Sequence, residues 1–313
     1  MMPAQIFKPL DDNPALIELL ERISGDPRET VISRLLEEER CLGSNVGRAL
    51  VAFGLKPHEW SDGLVQFYSQ TNAFLYESSV WNRTALKGEV RMWITNYLRE
   101  YSAKPLRILS VGDGLGFDST ALAAAGHEVV YFEPSQPCNE YARTVFAANG
   151  VNVRMEQTLD AIQGEQFDAV LCLDVLEHVP DPPAMVGMFS RFLKPNGILI
   201  AHAPFFLIHP CYKSHLRANR KYSGDWSLYQ KQGLHPIGGQ FFWQPIVLQK
   251  TGEKPPGRIP FSLRMGGWLL AIGRTAWTNK AHCLMARLMS RRDPRLVTDL
   301  LSRMSPPSGQ KVS

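Results

Sequence analysis

Over the first hundred positions, apolar residues recur at a spacing of three to four, which is typical of one face of an α-helix. The spacing is clear in residues 15–20 (ALIELL) and 31–36 (VISRLL), and Gly25-Asp26-Pro27 interrupts it between them. A longer helix is predicted over 87–101, just before Lys104-Pro105 ends the pattern. Residues 1–104 are therefore predicted to form a helical N-terminal cap.

From residue 105 the pattern changes to short apolar runs of strand length separated by helical stretches. Strands are predicted at 107–111, 128–132, 151–155, 167–173 and 198–201, with helices at 119–125, 138–148 and 183–193. Residues 236–243 and 246–249 suit a closing antiparallel pair. Strands that alternate with helices at this spacing predict a doubly wound, mostly parallel, seven-stranded Rossmann-like α/β sheet over 105–252.

The remaining residues, 253–313, are predicted to form a basic helical tail. They carry 11 basic and 3 acidic side chains, a net +8, whereas residues 1–252 carry 23 and 27, a net −4, which together give the +4 of the chain. Apolar and basic residues are mixed in 259–270 and 281–290. The tail is thus a candidate for an anionic surface or an acidic partner. Docking on the rest of the chain is the alternative.

Cysteine usage and hydropathy bear on the compartment. The five cysteines are odd in number and widely spaced and include no Cys-x-x-Cys pair, which argues against a disulfide framework or a structural zinc site and favours a reducing cytoplasm. No apolar run approaches the roughly 20 residues that a membrane-spanning helix needs. The N-terminus lacks a signal-peptide pattern. A cytoplasmic protein with no transmembrane segment is predicted.

A glycine-rich loop follows the first predicted strand. Residues 111–117 read VGDGLGF, with glycine at every second position before a helix, so the backbone can approach a ligand closely. Glu133 ends the next strand, 21 residues after Gly112, where an acid can hold both hydroxyls of a ribose. The dinucleotide pattern requires glycine where Phe117 stands, which disfavours NAD and FAD. Tight turns without a ligand are the alternative.

These segments resemble a known family. Residues 108–116 (ILSVGDGLG) and 132–135 (FEPS) resemble motif I and the following acid of class I S-adenosylmethionine-dependent methyltransferases. Residues 167–182 (FDAVLCLDVLEHVPDP) and 192–200 (FLKPNGILI) are similar to the ubiquinone-biosynthesis O-methyltransferase-like branch. The resemblance covers about residues 106–202 and implies S-adenosylmethionine as the cofactor.

The resemblance also implies a set of cofactor-binding positions. The loop glycines would contact the methionine moiety, Glu133 the ribose, Leu159 and Asp160 the adenine, and Arg91 the carboxylate. The full set is Gly112, Asp113, Gly114, Gly116, Glu133, Leu159, Asp160, Leu173 and Arg91. One departure is Ser110, since the class usually has an acid there. Its absence is expected to loosen the network around the amino group of the cofactor.

Asp174, Glu177 and His178 follow the fourth predicted strand, and positions i, i+3 and i+4 share one face of a helical turn. His178 is the candidate general base, with the two carboxylates beside it. The ubiquinone branch implies a divalent metal on an acidic-x-x-Glu-His constellation, so the same three residues are also weak metal candidates. A histidine that only braces the loop is the third interpretation. Methyl transfer is an in-line displacement, so it requires no nucleophilic side chain.

Acceptor contacts are predicted in 202–217, a loop at the carboxyl edge of the sheet, where ligands of this fold bind. Its histidines and aromatic residues suit an aromatic or largely apolar acceptor with one polar group. The candidates are His209, Tyr212 and His215. Upstream, Tyr76 is predicted to belong to an aromatic lid with Tyr68 and Trp81, with buried helix packing as the alternative.

Together these patterns predict an S-adenosylmethionine-dependent methyltransferase that acts on a small-molecule acceptor. O-methylation is favoured over N- or C-methylation. Two alternatives stay open: a lipid-linked or macromolecular acceptor recruited by the basic tail, and a non-catalytic S-adenosylmethionine-binding interaction module.

Overall fold

The computed structural model describes residues 7–239, 245–251 and 257–272, together with residues 274, 280, 284, 300 and 302. In this part of the chain, six helices precede the first strand. They are α1 (Asn13–Ser24), α2 (Arg28–Arg40), α3 (Ser44–Ala52), α4 (Gly63–Gln70), α5 (Ala73–Asn82) and α6 (Ala85–Tyr101). Local chemistry sets their ends: the side chains of Asp12 and Thr84 cap α1 and α6, and Gly25 ends α1 at a φ of 72°. The predicted N-terminal helices are confirmed.

Seven strands form one sheet. They are β1 (Arg107–Val111), β2 (Glu128–Phe132), β3 (Arg154–Glu156), β4 (Phe167–Leu173), β5 (Leu193–His202), β6 (Leu234–Gly239) and β7 (Ile246–Lys250). Their order is β3-β2-β1-β4-β5-β7-β6. The first five strands are parallel, and β7 runs antiparallel to both β5 and β6. The predicted doubly wound, mostly parallel Rossmann-like sheet is confirmed.

In the described part of the chain, five further α-helices lie between and after the strands. They are α7 (Phe117–Ala124), α8 (Gln136–Ala148), α9 (Pro182–Phe192), α10 (Ser227–Gln230) and α11 (Phe261–Ile272). Prolines at the first turn favour the starts of α8 and α9, where the side chains of Ser135 and Asp181 accept backbone N–H groups. The strand predicted over 236–243 is described only as far as Gly239, since 240–244 lie outside the described residues.

The N-terminal helices share a hydrophobic core with the helices of the sheet. Leu16 of α1, Leu35 of α2 and Leu75 of α5 belong to the same buried cluster as Phe117 of α7 and Tyr141 of α8. Each of these five side chains is fully buried. Because burial of apolar area is the main source of stability, removing α1, α2 and α5 would expose the apolar sides of α7 and α8.

The prediction that the cysteines form no disulfide framework is wrong for one pair. Cys41, at the end of α2, is bonded to Cys211 in the loop after β5. Their separation of 170 residues carries no spacing signal, and only the fold brings them together. Cys138 and Cys172 are buried free thiols, and Cys283 lies outside the described residues. The cysteine pattern therefore no longer supports a reducing compartment.

The C-terminal part is described mainly through α11, which corresponds to the amphipathic stretch predicted over 259–270. Of the second stretch, 281–290, only Leu284 is described. Within the described residues, every helix is too short or too polar to cross a membrane.

Candidate active site

A cavity of about 440 Å³ opens at the carboxyl ends of β1, β2, β4 and β5, with α4, α5 and α6 closing it from the other side. This volume falls within the usual range of small-molecule pockets. Strand β1 lies between β2 and β4, so the chain winds in opposite directions from this point, which is where doubly wound sheets bind ligands. The fold therefore positions one cavity against the glycine loop.

The three loop glycines play different parts. Each has a positive φ, between 61° and 81°, which favours glycine. A Cβ on Gly112 would lie 2.4 Å from Val175 Cγ2, and one on Gly116 would lie 2.8 Å from the ring of Phe146. A Cβ on Gly114 would lie no closer than 3.6 Å to any neighbouring atom. Gly112 and Gly114 line the cavity, whereas Gly116 faces α8 and serves the packing of that helix.

Glu133 lies at the end of β2, directly beside the loop. Its Oε2 accepts a hydrogen bond from the backbone N–H of Gly114 (3.0 Å), and its Oε1 accepts one from that of Ser135 (2.9 Å). Burial raises the pKa of Glu133 to about 7, although these two N–H groups oppose the shift. The carboxylate is held at the cavity wall with lone pairs remaining for two further donors, which matches a ribose diol.

Asp113 also lines the cavity, but its carboxylate is engaged at the start of α7. Its two oxygens accept the backbone N–H groups of Asp118 and Ser119. Burial, together with the negative charge of Asp118, raises the pKa of Asp113 to about 7. Asp113 thus fixes the loop against the helix that follows it.

A buried ion cluster borders the cavity on α6. Lys87 Nζ lies 2.7 Å from Asp118 Oδ2, and Arg91 Nε lies 2.9 Å from Asp118 Oδ1. Arg91 also donates to Asn82 Oδ1. Lys87 lines the cavity and Arg91 does not, so the structure places a lysine where the sequence predicted an arginine. The two cations are one helical turn apart, and only the packing of α6 decides which one faces the ligand.

Asp174 and His202 form a pair at the ends of β4 and β5, and both line the cavity. His202 Nδ1 donates to Asp174 Oδ1 at 2.6 Å. Burial alone would raise the pKa of Asp174, but the charge and hydrogen bond of His202 outweigh it and hold that pKa below its ordinary value. With Asp174 ionised, the imidazole proton resides on Nδ1, and Nε2 is the basic nitrogen.

Glu177, His178 and His215 form a second cluster, without Asp174. Their ligand atoms lie within 4.8 Å of one another. Neither carboxylate oxygen of Glu177 has a hydrogen-bond partner among the described residues. Burial, and then the charge of Asp174, raises the pKa of Glu177 well above its ordinary value. The three predicted residues are therefore divided between two clusters.

His178 is held from two sides. Its Nδ1 lies 3.1 Å from Tyr68 Oη and 3.2 Å from the carbonyl oxygen of Ser214. Burial lowers the pKa of His178 to about 4, although the Ser214 carbonyl and Asp174 oppose the shift. The ring is therefore neutral at physiological pH and ties α4 to the loop after β5.

Some of the other predicted site residues line the cavity, and some do not. Leu159, Leu173, Tyr212 and His215 line it, whereas Asp160 and His209 do not. Tyr76 is fully buried and donates to Asp26 Oδ2 at 2.5 Å, so it belongs to the packing of the N-terminal helices. The two other residues of the predicted lid, Tyr68 and Trp81, do line the cavity.

Two functional candidates escaped the sequence-based assignment. The sequence did not distinguish Lys87 from Arg91, because both are cations on α6 and lie one turn apart. His202 had a usable signal, because it ends β5 and pairs in register with Leu173, the residue before Asp174. Parallel neighbours end at the same edge of a sheet, so a polar residue at each end brings two side chains together.

Comparison with known proteins agrees with this geometry. Residues 82–235, about half of the chain, match a family model described as a methyltransferase domain. A ubiquinone biosynthesis O-methyltransferase from Actinobacillus pleuropneumoniae is 35% identical over 101 residues, which are 30% of this chain and 43% of that protein. One from Rickettsia felis is 36% identical over 109 residues, which are 34% and 44%. The chain spans less than half the length of these curated relatives.

Solved structures similar to part of this chain include magnesium protoporphyrin IX methyltransferase from Synechocystis with bound SAH. It is 21% identical, with a TM-score of 0.40 over 51% of this chain and 80% of that one. A methyltransferase from Methanosarcina mazei is 16% identical, with a TM-score of 0.39 over 49% and 96%. Residues 82–235 form a methyltransferase domain of the S-adenosylmethionine-dependent class. The predicted class and its cofactor, S-adenosylmethionine, are confirmed.

Proposed function

We propose that the chain transfers a methyl group from S-adenosylmethionine to a hydroxyl oxygen of a small, largely apolar acceptor. The observation that carries this proposal is the Asp174–His202 pair, which borders the same cavity as Gly114 and Glu133. An oriented imidazole opposite a cofactor site suits an acceptor that must lose a proton. When bound, S-adenosylmethionine would supply an electrophilic methyl carbon: the acceptor oxygen would bond to that carbon as the carbon–sulfur bond breaks, and S-adenosylhomocysteine would be the leaving group.

The cofactor end of the cavity is assigned to residues of β1, β2 and α6. Glu133 would accept both ribose hydroxyls, and Leu159 would pack on the adenine. Gly112 and Gly114 would lie against the methionine moiety, since both glycines line the cavity. Lys87 would pair with the carboxylate. Lys87 is a cation at the cavity wall, and its existing partner, Asp118 of α7, lines the cavity as well.

The acceptor end is assigned to His202 as the general base and Asp174 as its positioning residue. As the oxygen–carbon bond forms, the hydroxyl proton would pass to His202 Nε2, and ionised Asp174 would stabilise the resulting imidazolium. His178 suits this task less well, because burial holds its pKa at about 4 and its Nδ1 is already engaged. We assign His178 the bracing role.

The acceptor is expected to be flat and mainly apolar. Aromatic residues of the N-terminal part and two residues of the loop after β5 line the cavity: Trp60, Tyr68, Phe74, Trp81, Leu207 and Tyr212. Aromatic walls with few polar groups favour a ring that carries a polar substituent. The curated relatives are named as ubiquinone biosynthesis O-methyltransferases, and this supports oxygen as the accepting atom.

A methyl-transfer assay with isotopically labelled S-adenosylmethionine tests the proposal. Matched aromatic acceptors that carry a hydroxyl, an amine or a thiol on the same ring would be compared. We expect label on the hydroxyl compound and none with Glu133→Ala. Transfer only to amines would overturn O-methylation. Heat of cofactor binding without transfer to any acceptor would favour the non-catalytic binding module instead.

A divalent cation on Glu177, His178 and His215 is a second candidate feature of this cavity. The observation in its favour is the buried Glu177 carboxylate without a hydrogen-bond partner among the described residues. Two imidazoles and one carboxylate fit a cation such as Zn²⁺, which would polarise the acceptor oxygen. Turnover that is unchanged by chelation, and a thermal midpoint that Zn²⁺ does not raise, would dismiss it.

A further inference from the structure

Helix α11 is seated on the methyltransferase domain by one narrow face. Leu263, Gly266 and Gly267 are its buried residues. A Cβ on Gly267 would lie 2.6 Å from Trp226 Nε1, and one on Gly224 would lie 2.0 Å from the carbonyl oxygen of Gly267. The two backbones therefore meet in direct contact, which only glycine permits.

Hydrogen bonds fix the end of α11 in the same place. Ser223 Oγ donates to the carbonyl oxygen of Leu270 at 2.8 Å, and Arg274 Nε donates to the carbonyl oxygen of Ser223 at 2.8 Å. The close contact at the two glycines and these two hydrogen bonds together fix the rotation of α11 about its axis. The side that faces away from the domain is therefore defined.

That outer side is apolar and aromatic. Phe261 is 76% exposed and Trp268 is 58% exposed, the highest values among the aromatic side chains that the structure describes. They are seven residues apart, about two helical turns, and so lie on the same side. Arg264, also exposed, stands between them along this side. Protruding aromatic residues at this spacing mark an interaction surface.

Arg264 adds a positive charge to this side, and further exposed cations flank α11 along the sequence. Arg258, Arg264, Arg274 and Lys280 are exposed, and residues 253–313 as a whole carry a net +8 against −4 for the rest of the chain. Basic residues beside a helix with exposed tryptophan and phenylalanine are the composition of helices that lie in the interface of an anionic membrane. Tryptophan in particular favours the headgroup level of a bilayer.

We propose that α11 is an interfacial helix that docks the chain on an anionic phospholipid surface. Phe261 and Trp268 enter the boundary between headgroups and acyl chains, and the neighbouring cations contact the lipid phosphates. A nucleic-acid duplex would use the cations but would leave the two protruding aromatic side chains in water, whereas a membrane surface uses both features.

If the chain has the proposed function, docking would bring the acceptor side of the cavity close to the membrane. Leu270 of α11 packs with Phe206 and Leu207, and Leu207 lines the cavity. The docked helix and the acceptor side of the cavity thus share one group of apolar side chains. An apolar acceptor dissolved in the bilayer would reach the cavity beside α11.

Vesicle flotation of the full-length protein tests the docking. We expect the protein to float with vesicles that contain phosphatidylglycerol but not with phosphatidylcholine alone, and to be released at about 1 M salt, where the Debye length is about 3 Å. The double substitution Phe261→Ser/Trp268→Ser should lower vesicle partitioning by about tenfold or more, since two large apolar groups are lost. Val51→Ser/Met92→Ser removes exposed apolar groups on α3 and α6 and should leave partitioning unchanged.

Three outcomes would overturn the proposal: no flotation with either vesicle, equal partitioning of the two double variants, or retention on nucleic acid with no affinity for vesicles. The result is separate from the proposed function. In the absence of lipid, Phe261→Ser/Trp268→Ser and the unaltered chain should transfer methyl groups to a water-soluble acceptor at the same rate. If neither protein transfers methyl groups in this assay, the proposed function fails, whatever the vesicle result.

Discussion

Asp174 and His202 are joined twice across neighbouring strands: His202 Nδ1 donates to Asp174 Oδ1 at 2.6 Å, and the backbone N–H of Asp174 donates to the carbonyl oxygen of His202 at 2.9 Å. Asp174 has a φ of 58°, a conformation that aspartate tolerates better than most residues. The turn after β4 thus holds the carboxylate against the imidazole. The orientation of the ring is set by backbone and side chain together.

Removing the imidazole is the most direct test of its role. His202→Ala should lower kcat by about 10²- to 10⁴-fold, the usual contribution of a general base, while the Kd for S-adenosylmethionine stays unchanged. Asp174→Asn should also lower kcat, because the imidazole loses the ionised carboxylate that orients it. Steady-state kinetics and calorimetry measure these effects.

His209→Ala is the matched control, since His209 belongs to the same loop but does not line the cavity. Its kcat should stay within about twofold of the unaltered chain, as expected for a residue outside the reacting groups. A His202→Ala variant with kcat as high as the control would remove His202 from the mechanism. Partial rescue of His202→Ala by added imidazole would separate loss of the base from a folding defect.

Cofactor affinity should depend on pH near neutrality through Glu133. Burial raises the pKa of this carboxyl to about 7, and ribose hydroxyls donate to its ionised form. Below pH 7 the affinity for S-adenosylmethionine should therefore fall by up to about tenfold per pH unit. In the absence of cofactor the linkage has the opposite sign: the folded state retains a proton that the unfolded state loses, so this residue lowers stability as pH rises from about 4.5 to 7.

Glu133→Gln should bind the cofactor weakly with little pH dependence over the same range, because the amide does not titrate. Asp113 requires its own control, since its pKa is also raised to about 7. Asp113→Asn should keep the pH dependence of cofactor binding. Calorimetry at pH 6 and pH 8 distinguishes the two, and a pH dependence that survives in Glu133→Gln would assign the titration elsewhere.

Glu177 should make the protein less stable at alkaline pH. Its folded-state pKa is well above the ordinary 4.5, with burial as the main cause and the charge of Asp174 as the second. The folded state therefore keeps a proton that the unfolded state releases, and the stability of the protein falls as pH rises above about 4.5 until the folded-state pKa is passed. Glu177→Gln should be more stable than the unaltered chain at pH 8, and the difference should shrink toward pH 5. If the thermal midpoints of Glu177→Gln and the unaltered chain change in parallel across this pH range, Glu177 does not keep its proton in the folded state.

What the sequence predicted well was local. An apolar strand, a glycine loop and an acid at the end of the next strand fall within the 27 positions from Arg107 to Glu133, so spacing alone brought Gly114 and Glu133 to one site. The order of strands and helices followed from the same alternation of short and long apolar periods.

What the sequence did not predict depended on tertiary packing. Asp174 and Glu177 share one helical face in an ideal turn, yet the positive φ of Asp174 directs the chain differently and its partner is His202, 28 positions away. The choice between Lys87 and Arg91 depends on how α6 is rotated against α7, which no single-helix pattern specifies. The sequence alone therefore did not predict which distant residues pair or how a helix is rotated against its neighbour.

The bond between Cys41 and Cys211 ties the end of α2 to the loop that carries Tyr212 and His215. Denatured protein should titrate two fewer thiols without reductant than after reduction, and a peptide containing both cysteines should be recovered after proteolysis. A link across 170 residues restricts the unfolded chain strongly, so Cys41→Ser/Cys211→Ser should lower the free energy of unfolding by about 2–5 kcal/mol. Reductant should lower the thermal midpoint of the unaltered chain and leave that of the double variant unchanged, because the variant has no bond to lose. If reductant shifts both midpoints equally, or if the thiol count does not change on reduction, the two cysteines are not bonded and the loop is held by packing alone.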